Sequence, residues 1–254
     1  MATVKSADRV VQILEAVASR NEGLTHGEIA RKQEIPKGSL SLLLSNLVDR
    51  EYLALDPQSK LYVLGPQLLV LTGRYLNSLD IVQLGRPIVH TLVREINEDA
   101  EIVIRKGDQV LFLYKEESAR PVRYAIEAGE LAPLYATSPG KCILAFVPEE
   151  DVSGYLQRVP LSPITEHSIT AGEKLFRELE MIRSRGIAYG QEEYRQGICG
   201  VAAPIFNIHG NIAGALVATL EAVRFKGEHR HFIEAKLRGA ALELSRRLGF
   251  PGAG

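Results

Sequence analysis

Apolar residues recur three and four positions apart in two segments near the start of the chain, and polar residues fill the positions between them. In the first segment this pattern predicts a helix that Ser6 caps and that runs to about Arg20. In the second segment, the apolar positions that start at Leu40 predict a helix beginning at Pro36 or Lys37. Each helix would bury one face, so the two are expected to share a small core.

A capping box marks the start of a shorter helix between these two. Thr25 stands three residues before Glu28, so each side chain can accept a hydrogen bond from the backbone N–H of the other residue. The helix should end near Gln33, because Pro36 pushes the residue before it out of helical geometry.

A hairpin is predicted after the third helix, where short apolar runs at residues 52–55 and 61–64 flank a group of turn residues. Helix, turn, helix and hairpin in this order are typical of a winged helix-turn-helix, which places one helix in a DNA groove. A plain helical hairpin is the alternative. On the first interpretation the candidate DNA-binding residues are Thr25, Lys37, Gly38, Ser39, Ser41, Leu42, Asn46 and Lys60.

The rest of the chain alternates helical and strand patterns. Residues 67–79 predict a helix whose apolar surface is too broad for a solvated spacer, so we expect it to pack against its own copy in a dimer. A helix over residues 80–97 precedes a hairpin of residues 100–105 and 109–115, which favours an α+β fold with an antiparallel sheet. The predicted parts are a winged helix-turn-helix (1–65), a linker helix (66–80) and a second domain (81–254).

Composition narrows the class of protein. The 254 residues are 46% hydrophobic and 24% charged, as in an ordinary globular protein of two domains. No apolar run approaches the ~18 to 20 residues that cross a bilayer, and the first residues lack the apolar core of a secretion signal, so a cytoplasmic protein without membrane contact is expected. Cys142 and Cys199 fit neither a disulfide framework nor a zinc site, and we expect no metal and no cofactor.

Charge limits what one winged helix could bind. Residues 1–76 hold nine Lys and Arg against eight Asp and Glu, a net charge of +1 that is well short of a strongly basic DNA-binding surface. A dimer would read two half-sites and add their phosphate contacts. The expected partners are therefore double-stranded DNA with a palindromic operator and a second copy of the chain, as a homodimer or a dimer of dimers.

Four groups of residues occur in an order that is specific as a set. They are Leu24-Thr25 with Glu28-Ile29-Ala30, Ile35-Pro36-Lys37 with Tyr62-Val63-Leu64-Gly65, the run PLYATSPGKCILA at residues 133–145, and residues 185–210 with RGIA and VAAPIF. In these groups the chain resembles the IclR family of bacterial transcriptional regulators, which is named after the isocitrate lyase regulator. The resemblance covers nearly the whole chain.

This resemblance implies a regulator and not an enzyme. A winged helix-turn-helix would precede a GAF-like effector-binding domain, and a small organic effector, a carboxylic or aromatic acid, would change the affinity for DNA and so control a catabolic operon, as a repressor for example. A ligand-binding or protein-interaction module with a weak DNA-binding head is the alternative.

The chain departs from the family pattern at two positions. Leu42 stands where a basic residue is usual, which leaves sequence reading to Lys37, Ser39 and Ser41, to contact with a thymine methyl, and to DNA shape. Glu51 stands where a glycine usually ends the recognition helix. The helix either ends without a left-handed glycine or runs slightly longer.

The segment that starts at Tyr135 is the most pocket-like part of the second domain. Ser138 suits an N-cap and Pro139 the first helical position, so the N–H groups of Gly140 and Lys141 would point at an anionic ligand. The resemblance implies that a strand over residues 214–220, and the segments around it, supply the other walls of the effector pocket. The predicted effector-binding residues are Tyr124, Ala132, Tyr135, Ser138, Pro139, Gly140, Glu193, Ile198, Cys199, Gly200, Val217 and Thr219.

The predicted wall is mostly apolar, with few polar groups. Tyr124 and Tyr135 add aromatic faces, which makes an aromatic acid a candidate, and without a fixed basic residue a neutral or weakly acidic effector stays possible. Glu192 and Glu193 could be paired catalytic carboxylates. As neighbours in a strand they would point to opposite faces, so no catalysis is expected.

Overall fold

The computed structural model describes residues 4–77, 80–120 and 126–252. Contacts between residues divide the chain into two compact units, Met1–Ser78 and Leu79–Gly254. Each unit has a hydrophobic core made of its own residues.

The first unit has the predicted order of elements. They are α1 (Lys5–Ala18), β1 (Leu24–Thr25), α2 (His26–Gln33), α3 (Lys37–Asp49), β2 (Leu53–Leu55), β3 (Leu61–Leu64) and α4 (Pro66–Asn77). The three strands form an antiparallel sheet with β3 in the middle. The winged helix-turn-helix is therefore confirmed, with β1 as a strand that the apolar pattern did not predict.

The start of α2 follows the predicted capping box. Thr25 N–H donates to Glu28 Oε2 at 2.8 Å, and Glu28 N–H donates to Thr25 Oγ1 at 3.3 Å. The bonds from Thr25, together with Arg20 at 2.8 Å, lower the pKa of Glu28 to about 2. The predicted cap of α1 is wrong, since Val4 is the N-cap and makes no side-chain bond. Burial of the apolar stripe stabilises α1 without such a cap.

The third helix ends where a left-handed residue turns the chain toward the wing. Leu40, Leu44 and Leu47 are buried in the core of the unit, and α3 ends at Asp49. Glu51 follows with a φ of +59°. Of the two expectations for this position, the structure has the left-handed turn without glycine and not the longer helix.

The second unit is an antiparallel sheet with helices on both faces. Its elements are α5 (Asp80–Ile96), β4 (Asp99–Lys106), β5 (Gln109–Glu116), β6 (Leu131–Pro133), α6 (Ser138–Ala145), α7 (Glu149–Arg158), α8 (Gly172–Arg185), β7 (Ala188–Gln191), β8 (Ile198–Phe206), β9 (Ile212–Glu221) and α9 (Gly227–Arg247). The strand order is β6-β5-β4-β9-β8-β7, and every neighbouring pair is antiparallel. The predicted α+β class, the helix over 80–97 and the hairpin after it are confirmed.

Successive side chains of the central strand β9 point to opposite faces of the sheet, and a separate hydrophobic core lies on each face. Leu216, Ala218 and Leu220 pack with α5 and α9 on one face. Ala215 and Val217 point to the other face, where α6 and α8 lie. Within the described part of the chain, no helix combines the length and the apolar character needed to cross a membrane.

Candidate functional site

The polar face of α3 is open to solvent. Leu42 stands out on it, since 76% of its surface is exposed. The other exposed residues predicted to contact DNA are Lys37, Gly38, Ser39, Ser41 and Asn46. Lys60, also exposed, lies in the turn between β2 and β3 with a φ of +58°.

Two hydroxyl groups of the predicted DNA-binding set make bonds inside the protein. Ser41 Oγ donates to Lys37 O at 3.0 Å and lies 3.0 Å from Nε2 of His26. Thr25 Oγ1 is part of the capping box, where it also donates to Glu28 Oε2 at 2.8 Å. Thr25 therefore holds α2 in place. His26, which the sequence did not single out, ties the start of α2 to the exposed face of α3.

A cavity with about 440 Å³ of empty space, including its open mouth, lies between the start of α6 and the sheet. We call it the effector cavity because residues that the sequence predicts to bind an effector line it. It is defined by its lining: Phe112, Ile126, Ala136, Thr137, Ser138, Pro139, Gly190, Glu193, Tyr194, Arg195, Ile198, Gly200, Val217 and Thr219. Its lining has the mixture of apolar and a few polar groups that is usual at small-molecule sites.

The N-cap of α6 differs from the prediction. Thr137, not Ser138, caps the helix: Gly140 N–H donates to Thr137 Oγ1 at 3.2 Å, and Lys141 N–H donates to Thr137 O at 3.0 Å. The two N–H groups expected to face a ligand are therefore engaged. The helix starts one residue earlier because the threonine hydroxyl reaches the third N–H of the helix.

Two glycines let the start of α6 lie close against the sheet. A Cβ atom on Gly190 would lie 3.1 Å from Ser138 N, and one on Gly200 would lie 2.4 Å from Ser138 Oγ. A larger residue at either position would push Ser138 away from β7 and β8. These glycines therefore help to set the shape of the wall that Ser138 provides.

A buried ion pair neutralises the carboxylate in the cavity wall. Lys141 Nζ donates to the two carboxylate oxygens of Glu193 at 2.5 and 2.7 Å, and the lysine is almost completely buried. Burial raises the pKa of Glu193, and the charge of Lys141 opposes that rise. The pair adds no net charge to the wall.

The adjacent glutamates do not form an acid–base pair. They follow β7 and are not inside a strand, which corrects the expectation that strand alternation separates them. Glu192 has a φ of +59°, and its carboxylate accepts from Gly197 N–H at 2.6 Å. Glu193 is bonded to Lys141 instead, so the two carboxylates have different partners.

Arg195 supplies a cation that the sequence interpretation missed. It belongs to the cavity lining, and its guanidinium lies 3.8 Å from a carboxylate oxygen of Glu130 and 5.7 Å from the centre of the Tyr194 ring. In sequence it is two residues beyond Glu193, in a turn with no helical or strand pattern to assign it a face.

Seven of the predicted effector-binding residues line the cavity. They are Ser138, Pro139, Glu193, Ile198, Gly200, Val217 and Thr219. The lining also includes residues that were not predicted: Phe112, Ile126, Ala136, Thr137, Gly190, Tyr194 and Arg195. Phe112 comes from a strand outside the quoted motifs, so its place in the wall depends on the sheet order.

Four predicted residues lie elsewhere. Ala132 is buried in the core beside β5, and Tyr135 is buried with its hydroxyl donating to Ser162 O at 2.7 Å. Gly140 packs against the backbone of Leu134. Cys199 belongs to the core under α5 and α9, on the opposite face of the sheet from its neighbour Gly200.

Tyr124, the remaining predicted wall residue, lies outside the described residues. The structure therefore gives no position for its ring.

The cysteines are buried and separate. Burial raises the pKa of Cys142, and it raises that of Cys199 to about 11, so both are thiols at neutral pH. Within residues 4–77, 80–120 and 126–252, no three His, Cys, Asp or Glu side chains are grouped so as to hold a metal ion.

Two family models match the chain. The IclR helix-turn-helix domain matches residues 6–57, and the bacterial transcriptional regulator IclR C-terminal domain matches residues 73–246. A similar protein is the HTH-type transcriptional regulator KipR of Bacillus subtilis (strain 168). It is 30% identical over 228 residues, which are 89% of this chain and 90% of KipR.

Solved structures show the same fold. IclR from Thermotoga maritima superposes with a TM-score of 0.82 at 28% identity, over 97% of this chain and 99% of that one. An IclR homologue from Microbacterium hydrocarbonoxydans, a complex with 4-hydroxybenzoate, gives 0.83 at 23% identity, over 94% and 97%. The winged helix, the cavity-bearing domain and both family matches agree: the chain belongs to the IclR family, DNA-binding transcriptional regulators with an effector-binding C-terminal domain, which are not enzymes.

Proposed function

We propose that the effector is a small organic acid, carboxylic or aromatic, that binds in the effector cavity and changes the affinity of the first unit for DNA. The observation that carries this proposal is the position of Arg195 on a wall that is otherwise mostly apolar. A guanidinium can donate two parallel hydrogen bonds to a carboxylate. Glu193 does not repel such an anion strongly, since Lys141 neutralises it.

Aromatic rings on the wall support an aromatic acid within this class. Phe112 and Tyr194 belong to the lining, and apolar Ile198 and Val217 complete a surface suited to a flat ring. The Microbacterium hydrocarbonoxydans homologue is a complex with 4-hydroxybenzoate, but at 23% identity its likeness carries the fold alone. The choice of an acid therefore rests on the cavity of this chain.

On the DNA side, the exposed face of α3 enters the major groove of a palindromic operator, and two copies of the chain bind together. Leu69, Val70 and Leu71 of α4 expose apolar side chains, which supports a homodimer through this helix. In a dimer, the two winged helices add their phosphate contacts. This makes up for the low net charge of +1 that residues 1–76 of one chain carry.

The proposed division of the chain is a DNA-binding domain (1–65), a linker helix (66–80) and an effector-binding domain (81–254), with the effector acting through the linker on a catabolic operon. By linkage, DNA changes effector affinity by the same factor by which the effector changes DNA affinity.

A protein-interaction module with a weak DNA-binding head is the second candidate. The exposed Leu42 favours it, because leucine offers no hydrogen bond to a base edge. An electrophoretic shift on the DNA upstream of the chain's own gene separates the two. A sequence-preferring, salt-dependent complex supports the regulator, and its absence supports the second candidate.

Effector binding is tested by thermal shift with benzoate, 4-hydroxybenzoate and pyruvate. Benzamide is the matched control, since it has the shape of benzoate without the charge. We expect at least one acid to raise the Tm and to change the electrophoretic shift. Thr219→Leu, which fills the cavity, should abolish both effects. An acid that acts equally on wild type and Thr219→Leu would place the effector site elsewhere.

A further inference from the structure

A buried carboxyl group lies in the sheet directly behind the effector cavity. Glu101 on β4 pairs with Val217 on β9 and with Lys115 on β5, and paired residues share a face of the sheet. Val217 and Thr219, which is two residues further along β9 and therefore on the same face, line the cavity. Glu101 is therefore on the cavity face, with no surface exposed to solvent.

One oxygen of this carboxyl has a partner and the other has none. Thr219 Oγ1 donates to Glu101 Oε2 at 3.0 Å. Among the described residues, Glu101 Oε1 is buried without a hydrogen bond. A buried polar atom without a partner costs free energy, which is recovered when a ligand supplies the missing bond.

Burial disfavours the ionised form of Glu101. Asp99 is a like charge that adds to this effect. Lys115 Nζ lies 3.3 Å from a carboxylate oxygen of Asp99, so the positive charge of Lys115 is shared with that ion pair. Burial, reinforced by Asp99 and opposed by Thr219 and Lys115, raises the pKa of Glu101 to about 8. In the cavity lining, Glu193 is paired with Lys141, and Arg195 contributes a guanidinium.

At neutral pH the carboxyl is therefore mostly in its neutral acid form. Because Thr219 donates to Oε2, that oxygen is the acceptor and the acid proton belongs on Oε1. The group behind the cavity is then a hydrogen-bond donor without an acceptor.

We propose that Glu101 is a specificity-determining residue of the effector site, whose neutral carboxyl donates a hydrogen bond from Oε1 to a carboxylate oxygen of the effector. This proposal rests on the proposed function. It restricts the effector to molecules that place an acceptor oxygen past Val217 and Thr219. It also means that ionised Glu101 repels the effector, so binding of an acid requires a protonated Glu101.

The test is isothermal titration of the full chain with benzoate between pH 6.5 and 9.5, a range in which benzoate itself does not titrate. The dissociation constant should rise about tenfold between pH 7 and pH 9, because the protonated fraction of Glu101 limits binding. Glu101→Gln keeps an acceptor for Thr219 and an N–H donor at every pH. It should bind benzoate at pH 7 and lose the pH dependence. Glu101→Ala should bind about tenfold more weakly at pH 7.

Two further variants separate a donor from a structural residue. Thr219→Val removes the bond that lowers the pKa of Glu101, so the pH at which benzoate binding falls should move upward. Glu116→Gln, on the other face of the same sheet opposite Ala100, is the control and should leave the pH profile unchanged.

A measurement without ligand completes the test. Infrared spectra at pH 7 should contain the carbonyl stretch of a protonated carboxyl that Glu101→Gln removes. An ionised Glu101 in this experiment overturns the inference. Benzoate binding with the same pH profile in wild type and Glu101→Gln also overturns it but leaves the proposed function standing. Failure of wild type to bind benzoate, 4-hydroxybenzoate and pyruvate removes both.

Discussion

At the scale of single residues, several positions in the chain adopt conformations or contacts that local preferences oppose. Glu51 has a φ of +59°, in the left-handed region where a side chain is strained. At Gly140 the constraint is space and not backbone conformation, because a side chain there would collide with the backbone of Leu134. Glu101 is a carboxyl group without solvent, and its proposed role makes use of that burial.

Glu51→Gly should stabilise the first unit by about 1 kcal/mol, because glycine adopts a positive φ without strain. Urea unfolding monitored by circular dichroism measures the change in the free energy of unfolding. Arg50→Gly is the control, since Arg50 has a φ of −96° and gains nothing from glycine. A loss of stability in Glu51→Gly would mean that the glutamate side chain makes a contact worth more than the strain.

Gly140→Ala should lower the free energy of unfolding by about 1–3 kcal/mol through overpacking. A Cβ atom here would lie 2.2 Å from Leu134 O and 2.4 Å from Leu134 Cα, and backbone atoms cannot move aside as a flexible side chain can. Gly239→Ala in α9, which meets nothing within 4 Å, should be neutral or slightly stabilising. Equal Tm values for the two variants would show that α6 shifts without cost.

At the scale of elements, the two faces of α3 have separate roles, one in stability and one in the proposed binding of DNA. Its buried side contributes Leu40, Leu44 and Leu47 to the core, while its other side offers Lys37 and Leu42 to solvent. One face thus stabilises the unit and the other is free for DNA. Substitutions on the exposed face should change binding without unfolding the helix.

Lys37→Ala should weaken DNA binding by a similar factor for all sequences and reduce the slope of log K against log salt by about 1, as expected for one lost phosphate contact. Electrophoretic shifts at several salt concentrations measure both quantities. Lys174→Ala, an exposed lysine on α8 of the second unit, is the matched control. Benzoate binding should be the same in both variants. Its loss in Lys37→Ala would contradict the proposed separation of the two functions.

At the scale of the whole molecule, regulation requires that two winged helices bind DNA together. It also requires that an effector in the cavity changes how they do so. Residues 1–76 carry a net charge of only +1, so useful DNA affinity depends on pairing. The apolar face of α4 is the proposed pairing surface. An effector that changes the dimer would change DNA affinity without touching α3.

Leu69→Lys should weaken the dimer, because it places a charge on a side chain that is 76% exposed in the single chain and proposed to be buried in the pair. Sedimentation velocity across a concentration series measures the dimer, and an electrophoretic shift measures the DNA complex. Val223→Lys, an equally apolar residue that is 70% exposed in the second unit, is the control. An unchanged dimer in Leu69→Lys would exclude α4 as the pairing surface.

Most of the fold could be predicted because its signals are local. The capping box at Thr25 and Glu28, the proline that separates α2 from α3, and the alternation of apolar residues along the strands each act over a few positions. The N-caps of α1 and α6 were misplaced, because tertiary packing and a neighbouring threonine decided between adjacent candidates.

The sequence by itself determined the helices and the hairpin of the winged helix and the family, since these depend on short-range patterns and on motifs in a fixed order. Only the tertiary structure decided the cavity. Phe112, Gly190 and Arg195 meet there because β5, β7 and the turn after β7 are brought together by the sheet and α6. Cys199 faces away while Gly200 faces in, because a shift of one residue along a strand exchanges the two faces of a sheet.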